Sequence, residues 1–438
     1  MPSPSPSAAH LPHASEAVPA TTSALPAAFH RLTASSLTAN LAEQVSLAAA
    51  PLVAVLVLGR GASGTGMLQA AQTLPFLLLA IPAGVLADRT SRHRLMAAAE
   101  SVRLLSLLAI LVLLLLDRLT FPLLAALGFV GATGTVVFGV CTPALTPSLV
   151  PRNALGQANR MLELIRSATY IGGPALGGAL MGWTGARPAF AFAVVLSATA
   201  VALLAGIREP ERALAPRATS HPLADLREGA AFLFGHALLR PLFATAVFFN
   251  LGFFMLMGVY VAWAHDHLHL GASAIGITLA IDGAGMLVGA TLAGRILRTV
   301  RFGVAICLGP LMGLVAMLVM ATTIVVPSAA LAGLAFFLIG AGPIVWTITT
   351  TTLRQAVTPD ALLGRVSSVI MTATFGARPV GAALGAVIAS TISLPACLLA
   401  AVLAFAIQAA IILRSAPARL RTLDEATAAS ECPAQPGR

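Results

Sequence analysis

The sequence predicts an all-α membrane protein, with twelve transmembrane helices arranged as two six-helix bundles of the same orientation. Three observations carry that prediction: the composition, a series of long apolar runs, and an internal repeat. Of 438 residues, 58% are hydrophobic and only 10% charged, and the mean hydropathy is +0.91. A soluble domain has about a quarter of its residues charged. Apolar runs long enough to cross a bilayer as helices stand at 36–58, 65–87, 96–116, 121–144, 157–182, 188–207, 241–262, 272–294, 302–325, 329–350, 364–390 and 393–413. They lack the two-residue alternation of a barrel strand and exceed its length, and in lipid a backbone that is not in a closed sheet must pair within its own helix.

The repeat appears when the halves are overlaid. Leu86-Ala87-Asp88-Arg89 with Arg92 matches Leu292-Ala293-Gly294-Arg295 with Arg298, Leu155-Gly156 matches Leu363-Gly364, and Gly173-Pro174 matches Arg378-Pro379. The near-constant offset implies two parallel copies, 29–207 and 241–414, joined by 208–240.

Charge fixes the orientation. All 26 basic residues are arginine, which excludes a Schiff-base lysine and the lysine of an ATP-binding P-loop. Nineteen arginines fall on one side of the spans, against Arg60, Arg118 and Arg187 on the other. The excess of positive charge therefore faces the cytoplasm together with both termini, and it reports topology rather than nucleic-acid binding. Four cysteines with no C-x-x-C pair exclude a disulfide scaffold, a structural zinc site and a dithiol redox motif. Residues 1–28, rich in Pro, Ala and Ser, and 415–438, with Asp424, Glu425 and Glu431, are expected to be cytoplasmic tails, the first disordered. In the linker, Leu223, Leu226, Ala230 and Phe234 with Arg227 and Glu228 suit an amphipathic helix at the membrane surface; a plain tether is the alternative.

Two segments carry mechanism. Between the second and third spans runs Gly84-Val85-Leu86-Ala87-Asp88-Arg89-Thr90-Ser91-Arg92-His93-Arg94, in which Gly84 permits close helix approach and Asp88 suits free helix N–H groups. It resembles motif A of the major facilitator superfamily, G-x-x-x-D-R-x-G-R-[RK]-[RK], with Ser91 and His93 as departures. The resemblance implies that Asp88, Arg89, Arg92 and Arg94 form a cytoplasmic gate between the halves. Within the fifth span, Gly173, Pro174, Gly177 and Gly178 combine a helix-bending proline with small packing residues. They resemble the Gly-Pro-x-x-Gly-Gly end of motif C, found in exporter and antiporter branches. Longer stretches, including Gln72-Thr73-Leu74-Pro75-Phe76 and Leu353-Arg354-Gln355-Ala356-Val357-Thr358-Pro359, are similar to the secretion-effector group of that superfamily. The resemblance spans 29–413 and implies a bacterial inner-membrane transporter, not an enzyme. The arginine-centred motif of the fourth span in many proton antiporters has no counterpart in 121–144.

Ionisable residues inside spans cost several kcal/mol and are functional by default. Glu43 is the candidate to carry a coupling proton and to meet a cationic substrate, and a fixed ion pair with an interior arginine is the competing reading. Asp282 is the second proton candidate, expected to pair with Arg378, which stands on another helix lining the interface between the halves, as a lock or a switch. Glu100 with Arg103, and Arg160, Glu163 and Arg166, have the three-residue spacing of ion pairs on one helix face and serve as ladders or as a gate. Phe249, Phe253, Tyr260, Trp263 and Trp346 are expected to line a central cavity, with Met255 and Met257 beside them. His265, Asp266, His267 and His269 suit a titrating surface loop better than a metal site. No metal and no cofactor is expected. The partners are a small-molecule substrate and the lipid bilayer, with no nucleic acid and no ATP, and the chain is expected to act as a monomer. The expected function is export of a small amphipathic compound, a drug, antibiotic, siderophore or other secondary metabolite, by alternating access with the proton gradient as energy source. A proton-coupled importer is the alternative, and a non-transporting sensor a more distant one.

Overall fold

The computed structural model describes residues 25–151, 154–207 and 222–426, without the side-chain surroundings of Ile81, Val85, Asp88, Gly156, Pro222, Leu223, Asp360 and Ala361. Most of the expected N-terminal tail, the first part of the linker and the end of the C-terminal tail, with Glu431, lie outside these residues, as do the surroundings of Asp88 in the gate motif and of Leu223.

The first half consists of α1 (Ala27–Leu56), α2 (Ala62–Arg89), α3 (Arg92–Leu115), α4 (Phe121–Leu149), α5 (Leu155–Trp183) and α6 (Ala186–Ala205). After the linker helix α7 (Pro222–Gly235), the second half follows as α8 (Leu239–Asp266), α9 (Ala272–Thr299), α10 (Phe302–Thr322), α11 (Ala329–Val357), α12 (Asp360–Thr391) and α13 (Leu394–Leu413). Ten of these are long and apolar enough on their own to cross a membrane, and α2 and α5 match them in length. Leu105, Val195 and Leu403 are 61–63% exposed on α3, α6 and α13, an apolar surface that only lipid satisfies.

Several helices outrun their apolar sequence. The first begins at Ala27 rather than near 36, because Phe29 and Leu32 are buried and the Arg31 guanidinium donates to the Gly206 carbonyl beyond α6. That turn is held by packing and a helix-end cap instead of by hydropathy. Inside the spans, many hydroxyls are satisfied on their own helix, as where Thr73 donates to the Gln69 carbonyl and Thr142 to the Phe138 carbonyl. Prolines occur within α1, α2, α4, α5, α10, α11 and α12, which a membrane helix tolerates when neighbours re-satisfy the freed carbonyls.

The repeat is visible in the packing. In the first half α1 packs on α5 and α6, α3 on α4 and α6, and α2 on α4; in the second, α8 packs on α12 and α13, α10 on α11 and α13, and α9 on α11. Between the halves, α5 lies on α9 and α2 on α12, and α2 also meets α8. These joints are tightest at the end away from the arginine-rich loops. A Cβ on Gly178 would stand 2.6 Å from Gly276 Cα and 2.7 Å from the Ala272 carbonyl oxygen, and one on Gly66 would stand 2.7 Å from Ala386 Cβ. Only glycine admits such approach. At the arginine-rich end a Cβ on Gly84, Gly294 or Gly364 would meet nothing within 4 Å, so the helices there stand apart.

The linker helix turns its apolar side onto the second half. Leu226, Ala230 and the fully buried Leu233 pack with Leu353, Val357 and Val366, and Arg365 of α12 binds Asp225 at 2.9 Å and Glu228 at 2.6 Å. The helix is thus part of the second half. The start of the C-terminal tail is docked as well: Phe302 and Gly303, which open α10, donate their N–H groups to the Arg421 and Leu420 carbonyls.

Candidate functional site

Between the halves lies a cavity of about 340 Å³, in the size range of small-molecule sites. The α5/α9 and α2/α12 glycine joints close it at one end, and the divergence of the helices opens it toward the arginine-rich end. Its walls are mostly apolar, with charged groups at three places.

The first is built on α1 and α3. Arg103 Nη1 lies 3.0 Å from Glu100 Oε2, and its Nη2 lies 3.7 Å from Glu43 Oε2. The same guanidinium donates to the Thr135 hydroxyl at 2.8 Å and to the Ala39 carbonyl at 3.2 Å, while Ser197 of α6 donates to Glu100 Oε1 at 2.6 Å. Glu100 is fully buried, whereas Glu43 keeps 17% of its side chain exposed on the cavity wall. Glu100 and Arg103 therefore form a closed internal pair, and Glu43 is the more distant second carboxylate. The three-residue spacing on α3 was legible in the sequence; Thr135 and Ser197, which complete the network, lie among ordinary small residues that give no signal of it.

The second is Asp282 of α9, placed where α9 crosses α5. A Cβ on the adjacent Gly283 would stand 2.9 Å from Ile171 N and from the Tyr170 carbonyl carbon, so the backbones nearly touch and the carboxylate opens onto the cavity. Among the described residues it makes no hydrogen bond or ion pair.

The expected pairing of Asp282 with Arg378 is not formed. Arg378 of α12, the third place, donates from Nε to Asn250 Oδ1 at 3.2 Å, and its guanidinium carbon lies 4.6, 5.3 and 5.6 Å from the ring centres of Phe375, Phe254 and Phe76. A guanidinium over an aromatic ring gains roughly 0.5–2 kcal/mol, which offsets part of the cost of burying the charge without a carboxylate. Phe375 lies three residues before Arg378, and Asn250 lies four before Phe254. These helix-face spacings are present in the sequence, but nothing in it says that rings, and not a carboxylate, surround the charge.

Of the residues expected to line the cavity, Phe249 and Phe253 do so, stacked at 5.8 Å, with Phe254 and Met257. Tyr260, Trp263 and Trp346 do not. Tyr260 is fully buried, donating to Thr278 at 2.5 Å and lying edge-on to Phe336. Trp263 donates to Thr323 at 3.1 Å and stacks on His267 at 4.0 Å. Both lie beyond the point where α8 leaves the cavity and enters the packed far end. Trp346 packs against Gly309 of α10. Met255 is likewise core rather than lining.

The family follows from the whole chain. Residues 23–436 match the family described as transmembrane secretion effector. The chain belongs to that family. It is 27% identical over 304 residues to the enterobactin exporter EntS of Shigella flexneri, covering 69% of this chain and 70% of the relative. Two solved structures share the fold: a bacterial homologue of the iron transporter ferroportin in an inward-facing state (TM-score 0.70, 18% identity, 88% of this chain and 98% of that one), and the nucleoside transporter NupG (TM-score 0.74, 11% identity, 88% and 99%). The chain is thus a membrane-embedded small-molecule transporter of major facilitator fold, not an enzyme.

Two motifs of this secretion-effector transporter take definite positions. Gly173 and Gly177 of α5 press on Gln44, Val45 and Ala48 of α1, and Gly178 presses on α9, so the glycine string serves both the bundle and the joint between halves. In the gate motif, Arg92 donates to the Ala144 carbonyl of α4 at 2.6 Å within its own half, Arg89 and Arg94 are exposed, and no helix approaches Gly84. The expected approach of another helix at Gly84 is absent in this conformation because the halves are parted there. On α5, Glu163 binds Arg166 through both oxygens at 2.6 and 2.9 Å. Arg160 makes no ion pair among the described residues, so the expected three-member ladder is a single pair.

Proposed function

We propose that this transporter is a proton-driven exporter of a small amphipathic compound, set in the bacterial inner membrane with both termini in the cytoplasm. The distribution of arginines supports the orientation; on it, the cavity opens to the cytoplasm and the glycine joints seal the outer end. The secretion-effector family and the relative named as an exporter support the outward direction. Energy comes from proton entry, and no cofactor takes part.

The observation that carries the coupling is the asymmetry of the two carboxylates around Arg103. Glu100 already neutralises the guanidinium at 3.0 Å in a fully buried pair. Glu43, at 3.7 Å on the cavity wall, can therefore gain or lose a proton without stranding Arg103. A neutral Glu43 releases its hold on α3, and a charged one restores it, which biases α1 between two arrangements. Asp282, on the opposite half at the α5/α9 crossing, is the alternative carrier of that proton.

The test is efflux from energised cells loaded with fluorescent aromatic compounds, with and without an uncoupler. Uncoupler-sensitive efflux that is lost in Glu43→Gln and retained in Asp282→Asn supports the reading and places the proton on α1. Efflux indifferent to the uncoupler refutes proton coupling, and net inward flux refutes export.

A further inference from the structure

Arg378 differs from the other charged groups of the cavity in what it lacks. Its guanidinium carries five N–H donors, and among the described residues only the Nε–H has an acceptor, Asn250 Oδ1. Arg378 lines the cavity, and among the described residues no carboxylate, carbonyl or hydroxyl is hydrogen-bonded to its two terminal nitrogens. Phe375, Phe254 and Phe76 surround the planar group from α12, α8 and α2, so the cluster draws on both halves. Asp282 and Glu43 stand on other walls, and neither makes an ion pair with it.

We propose that Arg378 is the anchor for an anionic group of the transported compound, a carboxylate, sulfonate, phosphate or phenolate, and that the three phenylalanines hold the aromatic or apolar body to which that group is attached. The chemistry follows from the fork geometry of guanidinium, which presents two parallel N–H groups to a planar or tetrahedral oxyanion. A charge held in a low-dielectric cavity without a counter-ion is costly, and an incoming anion supplies the missing partner. The rings hold the guanidinium through their faces and leave its donor edge free, an arrangement for a ligand instead of for a structural ion pair. Because the rings come from both halves, an anion seated there touches α2 as well as α8 and α12, and its binding is linked to how the halves lie.

This inference rests on the central cavity being the transport site, and its test needs neither flux nor a gradient. Purified protein in lipid nanodiscs is titrated against 1-pyrenesulfonate and 1-pyrenemethylammonium, which share one ring system and differ in the sign of the charge, with binding followed by fluorescence anisotropy. The expected result is a preference for the sulfonate of about tenfold or more, lost in Arg378→Gln and kept in Arg378→Lys. The preference of the unmodified protein and of the lysine variant keeps the test decisive if the glutamine variant does not fold. Equal binding of the two probes, no binding of the sulfonate, or a preference that persists in a folded Arg378→Gln overturns the proposal. Efflux indifferent to an uncoupler leaves these binding results standing, so the two readings fail separately.

Discussion

Arg103 and Arg378 sit on the wall of one cavity, in opposite halves of a repeated fold, and the chain satisfies them by different means. Arg103 is surrounded by two carboxylates, a threonine hydroxyl and a main-chain carbonyl, a set that balances its charge from within the protein. Arg378 has one carboxamide and three aromatic faces, which stabilise the charge without using its donors. The position before the helix-bending proline makes the contrast sharper. In α5 it is Gly173, whose missing side chain lets Gln44 of α1 pack against the backbone; in α12 it is Arg378, which extends into the cavity. One copy of the repeat spends this position on packing, and the other on a charge.

That contrast is open to measurement. The largest effect is expected for Arg103→Ala, which leaves the fully buried Glu100 without its ion-pair partner; the free energy of unfolding in detergent is expected to fall by about 3–5 kcal/mol, and a smaller loss would mean that the pair is not structural. Next comes Gly173→Val. A side chain there collides with Gln44, and overpacking of this kind costs about 1–3 kcal/mol, seen as a lowered melting temperature. Placing the smaller Ala at Arg378 is expected to change stability by less than about 1 kcal/mol, because the rings and Asn250 are not left as unpaired charges; a larger loss would make Arg378 a structural residue like Arg103. The smallest effect lies outside the membrane. Burial holds the imidazole of His236 below its ordinary value, and its Nδ1 accepts from the Leu238 N–H at 3.2 Å, which requires the neutral ring. The turn between α7 and α8 is therefore expected to keep full stability above about pH 6.5 and to lose it as pH falls toward the depressed folded value. Weaker hydrogen-exchange protection of the Leu238 amide at acid pH, absent in His236→Phe, is the check.

Hydropathy and the repeat made the architecture legible, because lipid forces each span to announce itself as an apolar run. The ends of the helices were less so. Residues 27–35 fall short of an apolar run, and only the docking of Phe29, Leu32 and Arg31 reveals them as the first turns of α1. Within the site, Glu100 pairs with Arg103 as the spacing suggested, whereas Asp282 and Arg378 do not pair. Both line the same cavity, yet pairing depends on rotation about each helix axis, which sequence does not specify. Tyr260 and Trp263 continue the aromatic series of Phe249 and Phe253 along α8, and only the depth at which the halves meet separates cavity lining from core.

The far-end joint has one more consequence. Gly66, Gly178, Gly258, Gly276 and Ala386 bring backbones together there, and a Ser273 hydroxyl donates to the Gly178 carbonyl at 3.4 Å. Among the described residues, separating these surfaces breaks no ion pair. On that end, parting of the halves is governed by dispersion and by what lipid or water fills the gap, so its rate should answer to temperature and bilayer composition while remaining nearly blind to ionic strength.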